Sequence, residues 1–365
     1  MSALFSPTTL RQTTFSNRIV VSPMCQYSAV DGNAQDWHLV HLGQLAMSGA
    51  GLLILEAAAV EERGRITPGC LGIYSDANEA ALAPVLAFCR RHGSAKLGIQ
   101  LAHAGRKAST HRPWEGRDPL GTDEGAWQTV SSSDLPHHRD WPQPASLSLQ
   151  ELETVKANFV AAVQRSERLG FELIELHAAH GYLLHEFLSP VANQRTDAYG
   201  GSLENRMRFP LETFAAMRAA WPRERSMGVR ISTTDWLDDG WDEQQSIAFA
   251  KALKALECDY ICASSGGISE DQNIVLGEGY QAAFASRLRA AADIPTMAVG
   301  MLFDPHHAEK LVRDGDADFI ALARGLLFDP HWPWSAAAAL NATVEAPPQY
   351  ARAADFRFLR EKRAT

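Results

Sequence analysis

Eight short apolar runs constrain the fold of this chain more than any other feature. They lie near Ile19–Val21, Leu52–Leu55, Leu97–Leu101, Leu173–Leu176, Met227–Ile231, Tyr260–Ala263, Thr296–Val299 and Phe319–Leu322. Most are apolar at every position rather than at alternate ones, the pattern of a strand covered on both faces. Stretches with apolar residues at three- and four-residue spacing separate them, among them Ala77–Arg91 and Leu149–Leu169, and these predict helices. Ser202 before Leu203 reads as an N-cap with Glu204 in the first turn, and Asp329-Pro330 reads as another helix entry. Strands alternating with helices along one continuous chain predict an α/β fold, a (β/α)8 TIM barrel, as a single unit over residues 1–365. A doubly wound sheet is the rival. It calls for a Gly-rich phosphate loop after its first strand, and Ser22-Pro23-Met24-Cys25 stands there instead.

Composition narrows the class. With 46% apolar residues the chain can bury a sizeable core. A net charge of −9, with no lysine- or arginine-rich block, argues against nucleic acid or an anionic membrane as partner. The segment Met1–Pro7 lacks the basic stretch and apolar core of a signal peptide, and the apolar stretch near Leu52–Val60 is interrupted by Glu56. Five cysteines without CxxC pairs fit a reduced compartment, so the expected location is the cytoplasm. Between the third and fourth runs lies an insert, about 111–148, rich in Trp, Pro, Asp and Gly. It reads either as a loose surface excursion or as a structured flap over the barrel mouth.

In a barrel of this kind the chemistry belongs at the carboxyl ends of the strands. Those ends supply Ser22, Pro23, Met24, Cys25 and Tyr27, then Glu56 and Ala57, then Gln100 and His103 followed by Gly105-Arg106-Lys107. The fourth supplies His177, His180 and Tyr182; the fifth carries Arg230 within the strand. The last three supply Ser264 to Gly267, Gly300, and Ala323-Arg324-Gly325. Two imidazoles can hold a developing oxyanion and a phenol can deliver a proton, so His177, His180 and Tyr182 point to activation of a carbonyl compound. Small residues after the late strands, with Arg324 beside them, suit a phosphate group. Arg230 cannot shed its proton, so its burial calls for an anionic or accepting partner. By strand alternation Glu175 shares a face with His177, which makes Glu175 a candidate for that partner. His-x-x-His can also be half of a metal site, but no further Cys, Asp or Glu cluster completes one, and no metal is expected.

Several motifs stand along the chain: Asn17-Arg18-Ile19, Ser22-Pro23-Met24-Cys25-Gln26-Tyr27, Gly64-Arg65-Ile66-Thr67 and Gln100 to Lys107, followed by His177 to Tyr182 and Arg195 to Arg206. Together they resemble the Old Yellow Enzyme family of flavin-dependent ene-reductases, in its bacterial branch of xenobiotic reductases and thermophilic-like enzymes. The resemblance runs from about Leu4 to Arg352 and implies a barrel holding non-covalent FMN, reduced by NADPH or NADH. It implies that Ser22, Pro23, Met24, Cys25, Ala57, Gln100 and Arg230 surround the isoalloxazine, and that Gly300, Ala323 and Arg324 hold the phosphate. His177 and His180 would grip the substrate oxygen, Tyr182 would donate a proton, and Tyr27 would lie over the substrate. Arg352, with the tail at about 340–365, would reach a neighbouring subunit's site in a homodimer or homotetramer. The implied substrates are enones, enals, imides and nitroalkenes. Ala323 departs from the family pattern, where Gly is common, and Gly300-Met301-Leu302 stands where xenobiotic reductases have a Trp. Two other classes remain open at this level: a flavin-free barrel that binds a phosphorylated metabolite, and a metal-dependent lyase built on His177 and His180.

Overall fold

The structure, a computed structural model, describes residues 2–354. Eight parallel strands close into a barrel: Ile19–Val21, Leu52–Ala59, Lys96–Ala102, Leu173–Ala178, Ser226–Ser232, Ile261–Ser264, Thr296–Val299 and Phe319–Leu322. Each of the eight apolar runs falls on one of them. The strands are buried along nearly their whole length because side chains on one face meet the helices and those on the other fill the barrel. Val20, Leu52, Leu173, Met297 and Phe319 lie in the inner cluster, while Leu53, Ile99, Ile174 and Ile231 pack outward against the helices.

Helices Asp76–His92 and Leu149–Arg168 occupy the two periodic stretches. The first is capped by the Ser75 hydroxyl, which accepts from the Asn78 N–H; the second by Ser148, which accepts from Glu151. Ser202 caps helix Leu203–Ala220 by accepting from Asn205, as its position predicts. Asp329-Pro330 does not open a helix. Asp329 closes the short helix Arg324–Phe328, and the next one begins at Trp332. The Asp329 carboxylate still accepts a backbone hydrogen bond, from the N–H of His331, the residue just before the helix starts.

A hairpin of Thr8–Leu10 and Thr13–Phe15 seals the amino-terminal end of the barrel. Phe15 meets Phe319 edge-to-face at 5.6 Å, and Ser226 donates to the Leu10 carbonyl. The open end therefore lies at the strands' carboxyl termini. The insert is structured: it holds a short parallel pair, Val130–Ser131 with Ala145–Ser146, and a 3-10 turn at Thr122–Glu124. It is tied down at several points. Arg112 donates to the Tyr27 carbonyl, Trp127 to the Arg63 carbonyl, and Ser131 to Glu186. No helix among the described residues is long and apolar enough to cross a membrane.

Candidate active site

The fourth strand, Leu173–Ala178, delivers His177 at its last turn of pleat, and the chain then reverses through Ala179 to Tyr182. His180 sits in the left-handed region at φ +59°, and Gly181 follows at φ +72°. A Cβ on Gly181 would lie 2.0 Å from the Gly267 carbonyl oxygen, so only glycine fits this turn. The reversal folds His180 back over His177, with His180 Nδ1 3.3 Å from His177 Nε2. Tyr182 packs edge-on against His177, ring centroids 5.0 Å apart.

Hydrogen bonds order these rings. The Ala179 N–H donates to His177 Nδ1 at 3.2 Å, which leaves the ring proton on Nε2. His180 Nε2 lies 2.7 Å from Ser264 Oγ. The His180 N–H donates to Ser232, whose hydroxyl donates onward to the Gly266 carbonyl. Burial, and then the nearby Arg230 guanidinium, hold both imidazoles well below the usual histidine range, so both are neutral. Burial also pushes the Tyr182 phenol well above its ordinary value, aided by Cys25 and Tyr27, and does the same for Tyr27. Lys107 stands over the Tyr182 ring at 5.2 Å and donates to the carbonyls of His180 and Gly267. Its ammonium is pushed down to about 8, first by burial and then by Arg106.

Beside this turn opens a cavity of about 280 Å³ lined by residues of the late strands. His180, Arg230, Ser264, Gly300, Ala323 and Arg324 all face it, together with Tyr280, Gln281 and Phe303. Arg230 is buried, and its Nε has no hydrogen-bond partner. Ser22 Oγ, at the end of the first strand, is buried without one as well. Such groups are costly unless something meets them. The first N–H groups of helix Arg324–Phe328 are free of intrahelical partners by position. The unpaired Arg230 donor thus fits an accepting group in the cavity, and Gly300 and Arg324 suit a phosphate there.

One expected contact is not made. Glu175 does not pair with Arg230. The barrel register sets Gln100 beside Glu175 and Arg230 beside His177. Glu175 therefore accepts from Gln100 Nε2 at 2.8 Å and from the Tyr260 hydroxyl at 3.2 Å, which leaves the guanidinium for a ligand. His103 is also turned from the site, its Nε2 2.8 Å from Glu61. Ala57 follows a break in strand register, and the bulged Glu56 accepts the Gln26 N–H at 3.0 Å while His38 Nε2 approaches it at 3.4 Å. Pro23, Met24 and Cys25 form the half-buried ledge that follows the first strand. Coming next, Tyr27 at φ +52° meets Trp114 of the insert edge-to-face at 6.0 Å. Arg352 is exposed on the short helix Ala351–Ala354, and the rest of the expected tail, from 355, lies outside the described residues. The residues not legible beforehand are His38, Tyr280, Gln281, His185 and Asp235. No motif marks them, even Asp235, three residues past the fifth strand, and only their contacts reveal them. Among the described residues no group of three or more His, Cys, Asp or Glu could hold a metal ion.

Comparison with known proteins adds independent findings. The pattern of the NADH:flavin oxidoreductase / NADH oxidase family matches residues 3–343. An NADPH dehydrogenase of Bacillus velezensis is 42% identical over 352 residues, which cover 96% of this chain and 98% of the relative. The solved structure of morphinone reductase superposes with a TM-score of 0.76 at 27% identity, covering 95% of this chain and 92% of that one. A 2-naphthoyl-CoA reductase shares the fold at a TM-score of 0.83 and 21% identity, and the chain spans 93% of its own length but only 52% of that protein.

Proposed function

As the chain belongs to the NADH:flavin oxidoreductase / NADH oxidase family, in the manner of the Old Yellow Enzymes, we propose that it reduces activated C=C bonds with NADPH or NADH through non-covalent FMN. The substrates are α,β-unsaturated aldehydes, ketones, imides and nitroalkenes. The observation that carries the reading is the convergence of His177 Nε2 and His180 Nδ1, 3.3 Å apart, beside a cavity that leaves Arg230 Nε unpaired. Ser22, Pro23, Met24, Cys25, Ala57, Gln100 and Arg230 would surround the flavin ring, and Gly300, Ala323 and Arg324 its phosphate. When bound, FMN supplies hydride taken from the nicotinamide.

The protein's own share is polarisation and proton delivery. A carbonyl or nitro oxygen placed between His177 and His180 meets the Nε2 proton of the first. It meets a proton on Nδ1 of the second once Ser264, which can donate as well as accept, turns its hydroxyl to His180 Nε2. Both rings stay neutral, so they polarise the substrate by hydrogen bonding without transferring a proton. That drains electron density from the β-carbon. The Tyr182 phenol then protonates the α-carbon, and Tyr27 closes over the substrate. Arg352 of an adjacent subunit completes the site in a homodimer or homotetramer.

The test is anaerobic stopped-flow mixing. NADPH should bleach flavin absorbance near the visible band, and 2-cyclohexenone should restore it. A colourless protein that FMN cannot reconstitute would overturn the reading, as would a reduced flavin that no enone reoxidises.

A further inference from the structure

The turn that carries His180 and Tyr182 is held from behind by two residues that no motif marks. His185 lies on helix Leu183–Leu188, directly after the turn, and Asp235 in the loop beyond the fifth barrel strand. Both side chains are fully buried. The Gly181 N–H donates to His185 Nδ1 at 2.9 Å. An N–H can donate only to a ring nitrogen that carries a lone pair, so the His185 proton resides on Nε2. That nitrogen lies 2.9 Å from Asp235 Oδ1. The other carboxylate oxygen accepts from Ser189 Oγ at 2.6 Å and from the Trp241 N–H at 2.7 Å. Burial pushes the Asp235 carboxyl up, but His185, Ser189 and Trp241 outweigh it and hold the group below its usual value. The carboxylate therefore stays anionic, next to the ring nitrogen that the Gly181 contact leaves protonated.

We propose that Asp235 and His185 form a positioning pair that pins the Gly181 N–H and thereby aims the His180 imidazole and the Tyr182 phenol at the substrate. The pinned residue is the one between the two working side chains, in a turn where His180 and Gly181 both hold positive φ. Without the pin, the left-handed pair has a buried N–H with no acceptor and a reason to relax. The proposal rests on the ene-reduction reading of Tyr182 and His180, and its test separates the two.

The test uses the FMN-loaded enzyme and three variants. Asp235→Asn offers an amide that can donate to Nε2, which moves the ring proton to Nδ1 and sets two donors against each other at Gly181. His185→Leu removes the acceptor. His185→Asn keeps an oxygen near the Nδ1 position and serves as the conservative rescue. Displacing a reacting group by about 1 Å can cost roughly 100-fold in rate. Asp235→Asn and His185→Leu should therefore slow reoxidation by 2-cyclohexenone at least tenfold more than they slow flavin reduction by NADPH. His185→Asn should recover much of that loss. Hydrogen exchange at the Gly181 amide should quicken in the first two variants and less in the third. Equal slowing of both half-reactions would make the pair merely structural and overturn the proposal, as would unchanged Gly181 exchange. If His185→Leu does not fold, the two asparagine variants carry the comparison. A wild-type enzyme inert toward enones would sink the functional reading, while Gly181 exchange would still decide whether the pin exists.

Discussion

Burial does most of the tuning at the level of single residues. The same loss of water keeps His177 and His180 neutral and Tyr182 protonated, so the site holds two neutral imidazoles and one protonated phenol at neutral pH. Enone-driven reoxidation should therefore run flat from about pH 6 to 8, without the limb that a free imidazole would give. A rise or fall centred near pH 6.5 in stopped-flow traces would place a titrating histidine in the step. Tyr182→Phe should slow the same half-reaction by about 10² to 10⁴, the usual contribution of a general acid, while NADPH-driven reduction keeps its rate. Arg230 brings a buried donor and a fixed charge to the cavity. A hydrogen bond to a charged group contributes roughly 1.5–3 kcal/mol, so Arg230→Met should weaken FMN binding by about 10- to 150-fold in equilibrium dialysis.

Elements join around a second buried carboxylate. Glu186, on helix Leu183–Leu188, accepts from the Arg106 N–H at 2.8 Å and from the Ser131 hydroxyl at 2.6 Å, which links the third strand's loop, the insert and the helix under the His180–Tyr182 turn. Burial pushes its carboxyl up to about 7 against the pull of Arg106 and Ser131. The folded protein therefore keeps this proton over a range where the unfolded chain has lost it. Stability should be full below the ordinary glutamate value and fall as pH rises toward about 7, by on the order of 3 kcal/mol. Glu186→Gln, which keeps the same shape without the charge, should flatten that decline in urea melts taken from pH 4 to 8. A variant that declines as steeply as wild type would remove Glu186 as its source. The strands were legible as elements because burial on both faces leaves unbroken apolar runs. Asp329-Pro330 misled because a capping carboxylate and a proline also suit the tight link between two short helices.

Across the whole molecule the barrel divides its work between its ends. The amino-terminal end is sealed by apolar packing from the hairpin, with Phe15 in the inner cluster against Phe319. Higher up, the interior turns polar through Gln100, Glu175, Tyr260 and Arg230, and the open end carries the cavity. Phe15→Ala should thus cost about 3–5 kcal/mol of stability and leave the flavin content and half-reaction rates of the folded enzyme unchanged. Thermal melts and absorbance ratios check both halves of that expectation. A loss of flavin without a loss of stability would show that the two ends are not separable in this way.

By itself the sequence determined the barrel and the cast of its open end. Continuous apolar runs are a local record of two-sided burial, and residues just past each run must gather at one rim once the strands close. Pairing was decided only by the tertiary structure. That Arg230 is left without Glu175, which carboxylate meets Gln100, and that Asp235 stands behind His185 all depend on the stagger between neighbouring strands and on loops that cross from one to the next. That stagger is set by closing the cylinder as a whole, so no stretch of chain encodes it alone.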